Sequence, residues 1–93
     1  LTVRKRAERD LRDIWNYSVS EWGRDRADRY VDDLLDALDL LCMHPQLGAD
    51  RLIGRPHFRI WSVGSHIVYY RARRRVEVVR ILHAAMDPTR HLS

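Results

Sequence analysis

Apolar residues recur at spacings of three and four from about Arg6 to Trp22, at Ala7, Leu11, Ile14, Trp15, Ser18 and Trp22, with charges filling the positions between them. That period predicts a helix with one buried stripe. Gly23 follows at once, and a glycine can close a helix in the left-handed conformation without a Cβ penalty. A second run, about Arg24 to Met43, puts Ala27, Tyr30, Val31, Leu34, Leu35, Leu38, Leu41 and Cys42 on one face, with Asp25, Asp28, Asp32, Asp36 and Asp39 opposite. Pro45 ends it by removing a donor and disfavouring helical geometry at His44. The two runs predict a helical hairpin, with Trp15, Trp22 and Tyr30 at core spacing. Cys42 reads as a small buried packing residue.

Before the hairpin, Leu1 to Arg4 alternates apolar and polar, enough for a short edge strand. After it, residues 44–57 show no period and hold Pro45, Gly48, Gly54 and Pro56, which predicts a connecting loop. The character then changes. Phe58 to Val63, His66 to Ala72 and Val76 to His83 are rich in Val, Ile, Tyr and Trp, and the gaps between them suit only hairpins. Gly64-Ser65 suits a type II′ turn, whereas Arg73-Arg74-Arg75 offers no Gly or Asn for positive φ. Asp87 and Pro88 read as the N-cap and first position of a short terminal helix through about Leu92. The fold class is α+β: an N-terminal strand, a helical hairpin covering one face of an antiparallel sheet, and a short C-terminal helix.

At 93 residues the chain predicts a single domain. No apolar run approaches the roughly 20 residues that cross a bilayer and no leader pattern is present, so the reading is soluble and cytoplasmic, with no membrane. One cysteine excludes an internal disulfide or a thiolate metal site. His44, His57, His66, His83 and His91 form no His-x-x-x-His pair, and the glycines fit no phosphate loop, so no metal and no cofactor are expected. Net charge is +4, but residues 44–93 carry 9 Lys+Arg against 3 Asp+Glu while residues 1–43 carry 8 against 10. The basic field therefore belongs to the second half and favours an anionic partner there.

Arg59, Arg71 and Arg80 lie within apolar strand sequence, and His83 ends the third strand. A metal-free ribonuclease uses such groups, Arg to stabilise a pentavalent phosphate and His to move protons. Period-two alternation sets Arg80 and His83 on opposite faces unless a bulge intervenes, and His91, the other proton carrier, lies in a tail expected to be mobile. On that reading the arginines cover the sheet with their stems while their heads stay wet. Trp61 shares a face with Arg59, where an exposed aromatic suits partner binding.

Five segments, in order, carry a resemblance: Ala7-x-x-Asp10-Leu11-x-x-Ile14-Trp15-x-Tyr17, Trp22-Gly23-x-x-x-Ala27-x-x-Tyr30, His44-Pro45-x-x-Gly48, Gly64-Ser65-His66-x-x-x-Tyr70-Arg71 and Val79-Arg80-Ile81-Leu82-His83-x-x-Met86-Asp87. Over nearly its whole length the chain resembles the ParE toxins of the RelE/ParE superfamily of bacterial toxin–antitoxin systems. The resemblance implies a non-enzymatic toxin that inhibits DNA gyrase by stabilising its cleaved-DNA complex. It also implies a ParD-like antitoxin that wraps the toxin in a hetero-oligomer, and no sequence-specific nucleic-acid binding. The RelE branch cuts mRNA on the ribosome, and Arg59, Arg80 and His83 fall where its groups lie, but the terminal tyrosine of that branch is absent. For antitoxin or target binding the expected residues are Arg51, Arg55, Arg59, Trp61, Arg71, Arg80, His83, Met86, Asp87 and Arg90.

Overall fold

At Gly23 the backbone takes φ of 86°, and its N–H bonds the Val19 carbonyl at 2.9 Å, so one helix stops and the next begins without a linker. These are α1, Lys5–Trp22, and α2, Arg24–Met43, in a computed structural model that describes residues 1–53 and 57–92. The Trp15 indole donates to Asp28 Oδ1 at 2.8 Å and ties the two helices together. The strands are β1, Thr2–Val3; β2, Ala49–Leu52; β3, His57–Val63; β4, His66–Ala72; and β5, Val76–His83, followed by α3, Thr89–Leu92. They form one sheet in the order β1-β5-β4-β3-β2, with β1 parallel to β5 and every other pair antiparallel. The α+β reading, the hairpin, the meander and the terminal turn all match the sequence expectation.

One element differs. The segment 44–57, expected as a loop, contains β2, whose four side chains are all exposed. It pairs with β3 through its backbone, and an edge strand that buries no side chain leaves no alternation in the sequence.

Both faces of the sheet are covered. Ala7, Ile14, Leu34, Leu38 and Leu41 of the helices meet Val68, Tyr70, Val76, Val78 and Ile81 on one side. On the other, Ile53, Phe58, Tyr69, Val79 and Leu82 gather with Leu92 of α3. Tyr69 and Tyr70 are therefore both buried although they face opposite ways. The tail expected to be mobile is docked by Leu92, and Asp87 Oδ1 accepts from the Thr89 N–H at 3.0 Å and its hydroxyl at 2.8 Å. These two bonds hold the exposed Asp87 carboxyl below its ordinary pKa.

Three packing expectations are corrected, and the first is Leu35, which is 43% exposed at the margin of the apolar face of α2. Cys42 is exposed, because it lies one residue, a rotation of about 100°, beyond Leu41 at the margin of the buried stripe. Trp22, the last residue of α1, is half exposed, meeting Tyr17 edge-on and the Arg26 guanidinium over its ring at 5.2 Å.

The loop between α2 and β2 is anchored by Tyr70, whose hydroxyl donates to the Pro45 carbonyl at 2.7 Å and accepts from the Gly48 N–H at 2.9 Å. Burial raises the pKa of this phenol, so it stays a donor. Replacing Tyr70 by Phe leaves the buried Gly48 N–H unpaired. The expected cost is about 1–3 kcal/mol, read as a lower urea midpoint with an unchanged slope.

Candidate functional site

The free edge of β5 decides the geometry. β1 covers β5 only at Glu77 and Val78, and the Arg4 N–H bonds the Val78 carbonyl at 3.0 Å before the chain turns into α1. About one and a half turns into that helix, Asp10 takes over the edge. Its Oδ2 accepts from the Ile81 N–H at 2.9 Å and from Arg80 Nε at 2.9 Å, while Oδ1 accepts from Arg80 Nη2 at 3.0 Å. The pair is forked, and its side chains are only 13% and 12% exposed, the geometry in which an arginine–carboxylate pair is strong and held in one orientation. The Asp10 hydrogen bonds raise the pKa of Arg80 despite its partial burial.

A bulge prepares this arrangement. Tyr69 lies opposite Arg80 and Tyr70 opposite Val78, so Val79 is an extra residue on β5. Beyond it Leu82 joins the cluster under α3 while Ile81 joins the core under the helices. The predicted alternation of Arg80 and His83 along the backbone therefore holds, but its consequence does not. Arg80 rounds the free edge to reach Asp10, and a longer contact of 3.4 Å runs from its Nη1 to the His91 carbonyl. Arg80 and His83 consequently line one hollow of about 370 Å³ with Asp10, Asp13, Tyr17, His66 and Met86. Guanidinium, imidazole and carboxylate do converge, with the guanidinium already occupied by the carboxylate.

The two histidines come from the ends of paired strands. His66 and His83 are register partners, and their rings meet edge-to-face at 5.4 Å. His83 Nδ1 accepts from the Ala85 N–H at 3.1 Å, which assigns its ring proton to Nε2 when neutral. His66 Nδ1 lies 2.6 Å from the Tyr30 hydroxyl, which also accepts from the Ser65 N–H at 3.1 Å. Gly64, at φ of 55° with no positive φ at Ser65, supplies the turn expected there and leaves room for the Tyr30 ring. Burial, then the neighbouring His83, lowers the pKa of His66, with Asp10 opposing.

The other predicted residues lie elsewhere. Arg59 donates to the Gly48 carbonyl at 2.6 Å and to the Gln46 backbone and side-chain oxygens, so it fastens the α2–β2 loop instead of facing a ligand. It lines a different hollow, with Asp50, His57 and Arg71, so it does not meet Arg80 and His83. Trp61 packs half-buried against the helix-facing core, not outward. Arg71 lies over the Phe58 ring at 5.0 Å. Arg51 is exposed and donates to the neighbouring Asp50 carbonyl at 3.4 Å. Met86 is 40% exposed at the rim of the histidine hollow, and Asp87 and Arg90 are exposed on the tail. Arg55 lies outside the described residues. Asp10, Tyr30 and His66 were not anticipated as site residues. Asp10 carried a readable signal, a carboxylate between Ala7 and Ile14 on the buried stripe of its helix.

A profile for the ParE toxin of type II toxin-antitoxin systems, parDE, matches residues 1–88. The chain belongs to this ParE toxin family. It is 39% identical over 88 residues to Toxin ParE1 of Caulobacter vibrioides, an alignment covering 95% of this chain and 92% of the relative. To Toxin ParE1 of Mycobacterium tuberculosis it is 36% identical over 88 residues, covering 92% of this chain and 90% of the relative. In fold it is similar to a solved structure described as the chromosomal ParDE TA system from P. aeruginosa, with a TM-score of 0.76 and 21% identity over 88% of this chain and 91% of that one. The ParE chain is thus the toxin component of a ParDE-type system. Among its described residues no helix is long and apolar enough to cross a membrane.

Removing the carboxylate in Asp10→Ala strands a largely buried guanidinium and the Ile81 N–H. The expected loss is about 3 kcal/mol of unfolding free energy in urea, and a smaller one in Asp10→Asn, whose amide oxygen still accepts from Ile81. His66 adds a pH dependence. Its folded pKa lies below the ordinary 6.5, so the unfolded chain binds the proton first as pH falls. Its contribution is fully present above 6.5 and is lost as pH falls through 6.5 towards the folded value. The urea midpoint of the wild type should fall across that window more than that of His66→Gln.

Proposed function

We propose that this ParE chain is a non-catalytic poison of DNA gyrase, stabilising the cleaved-DNA complex, and that a ParD-like antitoxin neutralises it in a hetero-oligomer. The observation that carries the reading is the Asp10–Arg80 fork. Phosphoryl chemistry needs a guanidinium available to the charge that develops on the phosphate. Here the guanidinium beside the histidines is neutralised by a carboxylate of its own chain, and Arg59 is spent on the loop. Family membership over residues 1–88 supports the toxin assignment. An antitoxin that wraps the toxin has both kinds of surface to use: the basic second half, and the exposed Leu35, Leu40, Met43, Leu47 and Leu52 of α2, the loop after it and β2.

One observation favours a second reading, a ribosome-dependent mRNA interferase of the RelE type: His66, His83 and Tyr17 line the same hollow as Arg80. The two readings separate in a pair of assays. With gyrase and ATP present, the purified toxin should convert supercoiled plasmid to the linear form, and His83→Ala should retain most of that effect. Absence of any gyrase-dependent cleavage, together with codon-specific cutting of ribosome-bound mRNA that His83→Ala abolishes, would replace the gyrase reading by the nuclease one.

A further inference from the structure

The turn joining β4 to β5 lies at the opposite end of the hairpin from the histidines. There Arg71, Arg73, Arg74 and Arg75 meet Arg4 around a hollow of about 560 Å³ that also includes Thr2 and Glu77. Five arginines and one carboxylate line it, and that carboxylate is held by Arg4 at 3.0 Å. Arg73, Arg74 and Arg75 are exposed, and the backbone closes on itself through an Arg73 N–H to Arg75 carbonyl contact of 3.3 Å. Arg71, which borders this hollow and the one holding Asp50, has a buried Nε with no hydrogen-bond partner among the described residues, an arrangement that costs free energy unless a ligand or solvent completes it.

We propose that this arginine hollow grips the phosphodiester backbone of duplex DNA. The lining decides between anionic partners. Its lining holds no apolar residue, so an acidic protein segment folding onto it would find only arginine stems to pack against and little to offset the cost of ordering. A phosphate backbone needs only charge and N–H donors, which guanidiniums supply in a planar fork matched to phosphate oxygens. The contacts carry no base information, so the binding is independent of sequence. The choice of DNA over RNA rests on the gyrase reading, which places the toxin beside a duplex.

The test uses the full chain purified free of antitoxin and a fluorescent duplex of arbitrary sequence, read by anisotropy over a salt series. About four phosphate contacts give a slope of log K against log salt near −3.6, and replacing Arg73, Arg74 and Arg75 together by Ala should bring it to about −0.9. In the same variant, affinity at low salt should fall at least tenfold. Replacement of the three by Lys, which keeps the charge, should retain most of the binding, and unchanged thermal melting shows that the exposed turn has not disturbed the fold. No duplex binding by the wild type, or an unchanged slope in the alanine variant, overturns the proposal. Tighter binding of single-stranded RNA of equal length, or of a glutamate-rich peptide of equal charge, overturns it in favour of those partners. Duplex binding lost in the alanine variant, in a protein that never cleaves plasmid with gyrase, keeps this assignment and removes the gyrase reading. Cleavage with gyrase by a wild type that binds no duplex does the reverse.

Discussion

The Asp10 carboxylate occupies the place of a missing strand. β1 is only two residues long, so most of β5 would otherwise present an open edge, and an open edge is a template for unwanted pairing. One side chain from α1 satisfies the Ile81 N–H and fixes the guanidinium of Arg80 beside it. The helical hairpin is thereby fastened to the sheet by a directional interaction as well as by the apolar contacts of Ala7 and Ile14, which alone would tolerate sliding. The same contact determines chemistry, since a guanidinium held by its own carboxylate is not available to a phosphate in the hollow next to it.

The arginines divide by what surrounds them. Arg59 and Arg80 have become structural ties, one closing the α2–β2 loop and the other closing the sheet edge. Arg71 is half committed, its guanidinium over Phe58 and its Nε unpartnered. Arg73, Arg74 and Arg75 line a hollow whose acid, Glu77, is engaged by Arg4, and Arg73 also borders the neighbouring hollow that holds Asp50. A positive total charge thus says little about where an anion would bind, because a guanidinium beside a carboxylate, as Arg80 is with Asp10 and Arg59 with Asp50 at 3.9 Å, adds little net field at the surface.

Most of the architecture was legible because it is written in periods. The α1 and α2 stripes, the break at Gly23 and the three strands of the meander follow from residues that alternate or recur. β2 left no such mark because its Ala-Asp-Arg-Leu sequence is held by backbone pairing alone. The second core is half legible: period-two alternation along β3 puts Phe58 and Ile60 on the face away from Arg59, but what covers them, Leu92 of a four-residue helix, has no period to read. The site was the least legible part. Alternation placed Arg80 and His83 correctly on the strand, yet a long side chain at a free edge is not confined to one face, and its destination depends on Asp10, seventy positions away.

The β4–β5 hairpin also separates two kinds of surface along one rigid ribbon. At the end near Gly64 lie His66 and His83, with Tyr30 and the Asp10–Arg80 fork. At the other lies the arginine turn. Strand β4 is seven residues long, so about 20 Å separates the two ends, beyond the screening length at physiological salt. Charges at one end therefore do little to the protonation of groups at the other. Any coupling between the ends must run through the packed strands and not through the electrostatic field, so substitutions in the turn and in the histidine hollow should act independently of one another, which is the condition for assigning separate roles to them.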